Sequence, residues 1–261
     1  MRNQLEIHAG GALIRAVPEW PRIDGLYVAK DGLQGLRGVE TRRREAAARA
    51  VEHGEHDVPV LLGSRVVTID GHIIGRDIRE MDDYGRQIAG LGSKGTHAED
   101  GRLRFEVKQY GRWFSALGRV MAATVEPGFE FRADHFVTKF QVQVVFADPR
   151  WYGREEVFPE TGTATEIVAA QRGNFPAHPI IEFPSGPSSA TITSPAGTFS
   201  YSGLVAGGNV RVNMRTGRVS RNGIDQIDIS TSGALWAIPR SKRWTHTLSA
   251  PGRVIVPRTD I

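Results

Sequence analysis

The sequence is defined first by what it lacks. Its 261 residues contain no cysteine, which excludes disulfides, thiolate metal sites and a cysteine nucleophile. No apolar run reaches the ~18 residues that a membrane-crossing helix needs. The opening residues, Met1-Arg2-Asn3-Gln4-Leu5-Glu6, lack the apolar block of a signal peptide, so synthesis and assembly in a cytoplasm are expected. There is no Gly-rich phosphate loop, dinucleotide fingerprint or Gly-x-Ser-x-Gly elbow, and neither His-Glu-x-x-His nor His-x-x-Glu-His occurs. The histidines His8, His72, His97, His135, His178 and His246 stand singly, without a partner at a recognisable spacing. His53-Gly54-Glu55-His56 lacks the further ligands of a metal site and reads as a polar loop. Asp82 and Asp83, adjacent on a helix, would point about 100° apart and cannot act as a pair. A spatial carboxylate pair for glycoside hydrolysis, as in a wall hydrolase, need not show in sequence, but nothing singles one out. We therefore expect no catalytic residues, no metal and no cofactor.

What is present is an ordinary globular composition, 40% hydrophobic and 24% charged, with 30 glycines. The length suits one large or two ordinary domains. Residues 161–261 hold ten Lys+Arg against five Asp+Glu, a net +5, and the first 160 hold 23 against 24, a net −1. That asymmetry supports two units, and a +5 spread over so long a segment is weak evidence for nucleic acid.

The clearest local signal is Arg65–Gly75. Val67, Ile69 and Ile73 fall on one face of an extended chain, with Gly71 in phase, and Thr68, Asp70 and His72 fall on the other. Asp70-Gly71 is also a hairpin signal. A turn there would mix polar and apolar side chains on each face, so one continuous strand is preferred, with Gly71 admitting a close neighbour or a bulge. A helix follows, with Ile78, Met81, Ile88 and Leu91 on one stripe and Gly90 or Gly92 to end it. It should pack across the sheet containing residues 65–75.

Before this strand, residues 1–36 read as short strands between glycines and prolines. Residues 40–52 are rich in helix formers and poor in large apolar side chains, a solvated helix or an arm. Arg42-Arg43-Arg44 could meet phosphates, although charge runs usually mark solvated faces. After the helix the period becomes two. Leu103, Phe105 and Val107 alternate with Arg104, Glu106 and Lys108. Strands at 119–125 and 129–132 flank the turn Glu126-Pro127-Gly128. Phe136, Thr138, Phe140, Val142, Val144 and Phe146 then share one strand face until Pro149.

Residues 159–179 read as a boundary, and beyond them only short strands follow, at 180–183, 190–193, 198–201, 209–214, 218–221, 227–229, 235–238, 244–249 and 253–257. Regular short strands without a helical pattern indicate a β-sandwich. The expected fold is mainly β: a β-sandwich with an amphipathic helix over 1–160, and a second β-sandwich over 161–261. Trp151, Tyr152, Tyr201, Trp236 and Trp244 could form a sugar-stacking face, although aromatics commonly fill sandwich cores.

The order of these features resembles a known family. The carriers are Gly63-Ser64-Arg65-Val66-Val67-Thr68-Ile69-Asp70-Gly71-His72-Ile73 with its following helix, the long strand running into Asp148-Pro149-Arg150-Trp151-Tyr152, and the segment from Asn174 to Glu182. A hairpin at 209–222 and Ala234-Leu235-Trp236-Ala237-Ile238-Pro239 complete the set. Together they resemble the distal tail proteins, or minor tail proteins, of long-tailed non-contractile bacteriophages, particularly those infecting actinobacteria. The pattern departs from that family at residues 40–52.

The resemblance implies a structural protein, not an enzyme, located at the distal end of the virion tail. Six copies of the N-terminal domain would close a ring around the DNA path, with a galectin-like, jelly-roll C-terminal domain projecting outward. Implied partners are further copies of the chain, the tail tube protein, tail hub and tail-tip proteins, the tape measure protein, and receptor-binding or side-fibre proteins. DNA is only passing cargo, and no membrane insertion is implied. Arg65, Asp70, Gly71, His72, Asp148, Pro149 and Tyr152 then belong to the structural or interface face. Loops 29–39 and 92–101 are material for contacts between copies. Tyr201, Trp236 and Trp244 are the candidate glycan-facing aromatics if the chain acts instead as a carbohydrate-binding module or adhesion protein.

Overall fold

A computed structural model describes residues 5–16, 24–38, 42–43, 53, 61–97 and 101–261. The chain divides into two compact units, Met1–Trp151 and Tyr152–Asp260.

The first unit holds β1 (Glu6–Ala9), β2 (Ala12–Ala16), β3 (Gly25–Gln34), β4 (Arg42–Arg43), β5 (Leu61–Leu62), β6 (Arg65–Gly75), α1 (Ile78–His97), β7 (Leu103–Gln109), β8 (Arg112–Val125), β9 (Glu130–Arg132) and β10 (His135–Phe146). Following the backbone pairing around the sheet returns to its start. Ile7 of β1 faces Ile14 of β2, which runs parallel to β3 with Ile14 opposite Leu26. Leu26 faces Ile73 of β6, and β6 pairs along its whole length with β10. The circuit then passes through β8 to β7, where Val107 faces Ile7 again. A closed barrel results, where the sequence led us to expect a β-sandwich. The closing contacts, β2 on β3 and β1 on β7, join segments whose partnership no local pattern encodes. Closure leaves no unpaired edge in the ring.

Arg65–Gly75 is one strand, and its alternation is real. Val67, Ile69 and Ile73 are buried with Ile7, Leu26, Phe105, Phe140, Val142 and Phe146 in one core. Helix α1 packs against β6, β8 and β10. Its start is set by Asp77, whose Oδ1 accepts the Glu80 N–H at 2.8 Å, as an N-cap residue does. Ile88 and Leu91 are fully buried, and Met81 packs against the same core. Ile78 departs from the expected stripe: it occupies the first helical position and is 49% exposed. The helix also runs through Gly90 and Gly92 to His97. A Cβ on Gly92 would lie 3.9 Å from that of Ala123, so the helix approaches β8 closely there.

Two other local readings change. The strand after Glu126-Pro127-Gly128 pairs with β10, Phe131 opposite Phe136, as a second short hairpin. Of residues 40–52, only Arg42–Arg43 are described, and they pair with Leu61–Leu62; the remainder of that expected helix or arm, and His56, lie outside the described residues.

The second unit comprises most of β11 (Trp151–Phe158), then β12 (Ala164–Ala170), β13 (Ile180–Phe183), β14 (Ala190–Ser194), β15 (Gly197–Ser202), β16 (Val210–Asn213), β17 (Val219–Arg221), β18 (Ile224–Asp225), β19 (Ser230–Gly233) and β20 (Arg243–Asp260). One sheet joins β12 and β14 to the first half of β20, with β15 and β19 beyond β14. Another joins β13 to the second half of β20, with β16, β17 and β18 beyond it. The two expected strands at 244–249 and 253–257 are thus one strand that changes sheets around Pro251-Gly252. Proline removes a ladder donor, and a Cβ on Gly252 would come within 2.6 Å of the Glu182 carbonyl oxygen. Ile167, Ile192, Phe199 and Leu248 meet Ile181, Phe183, Val210, Val212 and Val254 in one core between these sheets.

Candidate assembly surfaces and their buried anchors

Arg65 opens β6 yet is only 3% exposed. An arginine can be buried when its donors find acceptors. Its Nε donates to the Pro149 carbonyl at 2.8 Å, and Nη1 donates to the carbonyls of Leu36 and Gly35. The guanidinium carbon lies 5.7 Å from the Trp151 ring centroid, within cation–π range. The Trp151 indole N–H donates to the same Leu36 carbonyl at 3.0 Å. Burial pushes the Arg65 pKa down to about 10, which still leaves it charged at neutral pH. The arrangement ties the loop after β3 and the Pro149 turn to the start of β6. It is an anchor with no open face for a ligand.

Gly71 is required by contact. A Cβ there would lie 2.3 Å from the Tyr27 carbonyl oxygen and 2.4 Å from the Phe140 ring. The neighbouring β3 is irregular between Val28 and Leu33, so the expected close neighbour and bulge both occur, the bulge on the partner strand. Gly32, within β3, and Gly35, just after it, bring this segment against the carbonyls of Asp70 and Val66. Within residues 29–38, Gly32 and Leu36 are buried, while Lys30, Asp31, Gln34, Arg37 and Gly38 remain exposed.

On the outer side of β6, Asp70 accepts from the Gln141 side-chain amide at 2.7 Å. His72 stands opposite Lys139. Its pKa is lowered, first by burial and then by Lys139 and Arg132, with Glu126 and Glu130 opposing. The face is polar and half-buried. Asp148 accepts the Arg150 N–H at 3.3 Å within its turn, and Tyr152, in the second unit, accepts a hydrogen bond from Arg215 at 2.8 Å. The structure thus gathers Arg65 and Pro149 at one place, with Asp148 beside them, and sets Asp70, Gly71 and His72 along the same strand.

The first unit also exposes large apolar side chains that sequence reading missed. Trp113, Leu117 and Met121 are exposed along β8, as are Phe129 and Phe131 at the β9 hairpin, both edge-on to Phe136. The strand expected at 119–125 begins at Arg112, so Trp113 and Leu117 fell outside it and were assigned to no face.

The aromatics expected to face a glycan in the second unit do not all reach solvent. Tyr201 and Trp236 are 2% and 3% exposed. The Tyr201 hydroxyl donates to the Pro187 carbonyl at 3.2 Å, and burial pushes its pKa up to about 12. The Trp236 indole N–H donates to His246 Nε2 at 3.3 Å, and His246 is itself completely buried. Neither ring offers a face to a sugar. Trp244 is half-buried and packs against the same core.

A polar row on the second sheet went unread in the sequence because its members are far apart in the chain. Glu182 faces Arg211, Arg211 faces Ser220, and Ser220 faces Asp225. Among the described residues, no group of three or more His, Asp or Glu could hold a metal ion.

No family profile matches the sequence, and no curated protein matches it. Among solved structures, the Dit protein of phage SPP1, described as a paradigm of hub adsorption apparatus in phages infecting Gram-positive hosts, superposes with a TM-score of 0.64 at 14% identity, covering 98% of this chain and 99% of that one. Two structures of the phage p2 baseplate in its activated conformation, one with strontium and one with calcium, align at TM-scores of 0.46 and 0.45 with 10% identity, covering 98–99% of this chain and 98% of theirs. The chain therefore shares the fold of a phage Dit protein across both of its units.

Proposed function

We propose that this protein is a structural component of a phage tail tip, a distal tail protein of a long-tailed non-contractile phage. The observation that carries the reading is the fold likeness to the SPP1 Dit protein, which spans essentially the whole of both chains. The first unit forms a ring, six copies by the sequence resemblance, that surrounds the DNA path and joins the tail tube to the tail-tip or baseplate proteins. The second unit is a galectin-like domain projecting outward. The actinobacteriophage type, and partnership with tape measure and receptor-binding or side-fibre proteins, rest on the resemblance of the sequence alone.

Residue-level features support a role in assembly. A cyclic ring requires heterologous contacts, one patch meeting a different patch on the next copy. The first unit carries exposed Trp113, Leu117 and Met121 on one strand of the closed barrel and Phe129 and Phe131 at a hairpin. Arg65, Gly71 and Pro149 are part of the frame, and Asp70 and His72 belong to a polar face. The protein acts as a hub and not as an enzyme.

Light scattering and negative-stain imaging of the purified protein test the reading. Rings with a central channel are expected. Monomers at every concentration, together with absence of the chain from purified tails, would overturn it.

A further inference from the structure

The turn between β9 and β10 runs against backbone preference. Arg132 and His135 stand opposite each other, so Ala133 and Asp134 form a two-residue hairpin loop, and both have positive φ, 47° and 63°. That is the geometry Asn-Gly favours, and a residue with a Cβ such as Ala is strained in it. The strand β9 offers little to offset the strain: it has three residues, all exposed. Phe129 and Phe131, beside and within it, are exposed as well.

His135, at the start of β10, connects this loop to the body of the barrel. Its Nδ1 lies 2.8 Å from the Ala133 carbonyl, which can only accept, so Nδ1 carries a proton. Its Nε2 lies 3.4 Å from Oδ1 of Asp24, just ahead of β3, and the two side chains are 19% and 17% exposed. The other Asp24 oxygen receives Arg76 Nε at 2.7 Å, and Arg76 is also engaged by both oxygens of Glu80. Asp24 Oδ1 itself is buried and has no hydrogen bond among the described residues. A neutral ring with its proton on Nδ1 turns a lone pair toward that carboxylate oxygen. The imidazolium supplies a donor to each side, and only that form satisfies both partners.

The other titratable and charged groups around the pair do not replace that proton. Glu80, on α1, is held by Arg76. Burial pushes the hydroxyls of Tyr27 on β3 and Tyr84 on α1 above their ordinary value, with Arg15 of β2 opposing at Tyr27, so both stay neutral. Arg132 and Asp134 are exposed, where solvent weakens their influence. We propose that His135 is a proton-controlled latch: its imidazolium ties the aromatic hairpin to Asp24, and loss of the proton frees the hairpin. Docking therefore takes up a proton. It is complete on the acid side of the histidine range, about 6.5, and weakens as pH rises. The latch belongs to the first unit alone and is independent of ring formation.

The test is amide hydrogen exchange of the full-length protein at about pH 6 and pH 8.5, with rates corrected for intrinsic exchange. In the wild type, protection across residues 126–136 should fall roughly tenfold between the two, the order that loss of one charge-assisted hydrogen bond carries, while protection around Ile88 and Leu91 in α1 stays constant. His135→Gln and Asp24→Asn, each checked for folding by circular dichroism, should show the weaker protection at both pH values. His72 also faces the hairpin charges Glu126, Glu130 and Arg132, and both variants retain it, so its titration cannot separate them from the wild type. Nitrogen NMR of the His135 ring should find protons on both nitrogens at pH 6 and on Nδ1 alone at pH 8.5. Wild-type protection of the hairpin that ignores pH, a pH dependence that survives both substitutions, or an equal loss in α1 would overturn the proposal.

Discussion

Arg65 and Trp151 share one acceptor: the guanidinium and the indole N–H both donate to the carbonyl of Leu36, with the cation 5.7 Å from the ring centroid. Strand β6, the loop after β3 and the turn after β10 are thereby held at one point. Replacing Arg65 by Met should cost roughly 2–4 kcal/mol, since buried carbonyls lose their donors. Trp151→Phe keeps most of the packing and removes one N–H, so about 1 kcal/mol is expected. Urea denaturation of both variants measures the difference. Equal losses would mean that packing, and not hydrogen bonding, holds the site.

Two glycines give opposite expectations. At Gly71 an added methyl meets a backbone carbonyl at 2.3 Å and an aromatic ring at 2.4 Å. Gly71→Ala should therefore destabilise by roughly 1–3 kcal/mol. At Gly90, inside α1, a Cβ meets nothing within 4 Å. Gly90→Ala should stabilise by about 0.5–1 kcal/mol through helix propensity and unfolded-chain entropy. Thermal melts of the pair should move in opposite directions.

The helix stripe can be tested the same way. Ile88 and Leu91 are fully buried and Ile78 is 49% exposed. Ile88→Ala or Leu91→Ala should cost about 2–5 kcal/mol, and Ile78→Ala should stay within about 0.5 kcal/mol. A large loss at Ile78 in denaturant melts would show that it is covered.

Acid should weaken the second unit through His246. Burial pushes its pKa below the ordinary 6.5, opposed only by its bond to the Trp244 carbonyl. The unfolded chain then takes up the proton first as pH falls. The stability held by the neutral imidazole is present above about pH 6.5 and drains as pH drops toward the folded value, by at most about 1.4 kcal/mol per pH unit for one proton. Glu182 also has a lowered pKa, but its contribution is lost only in the carboxylate range, below 4.5. Urea midpoints of the wild type and His246→Gln at pH 7 and pH 5.5 should diverge, with the variant flatter. His72, lowered likewise in the first unit, supplies the background slope that both share.

What was legible in the sequence was local. Strands β6, β7 and β10 announce themselves because each has one face buried, so side chains alternate with period two. The helix was visible from Ile88 and Leu91, but its end was not. Gly90 and Gly92 read as terminators, yet Leu91 between them is fully buried and the helix runs on to His97. Barrel closure depends on pairing such as Ile7 with Val107, and no local pattern states it. Pro251-Gly252 looked like a gap between strands because a bend and a break have the same composition. Tyr201 and Trp236 could be named from sequence, but their direction could not, and the polar row of Glu182, Arg211, Ser220 and Asp225 emerges only from the register of β13, β16, β17 and β18.

The central claim, a structural hub at the tail tip, is tested most directly by a cryo-EM reconstruction of the tail tip of the particle that carries this chain. A closed ring of copies is expected at the distal end of the tail tube, with the first unit around the axial channel and the second outside it. Density at that position that cannot be fitted by this barrel and its helix, or the chain found elsewhere in the particle or absent from it, would contradict the account.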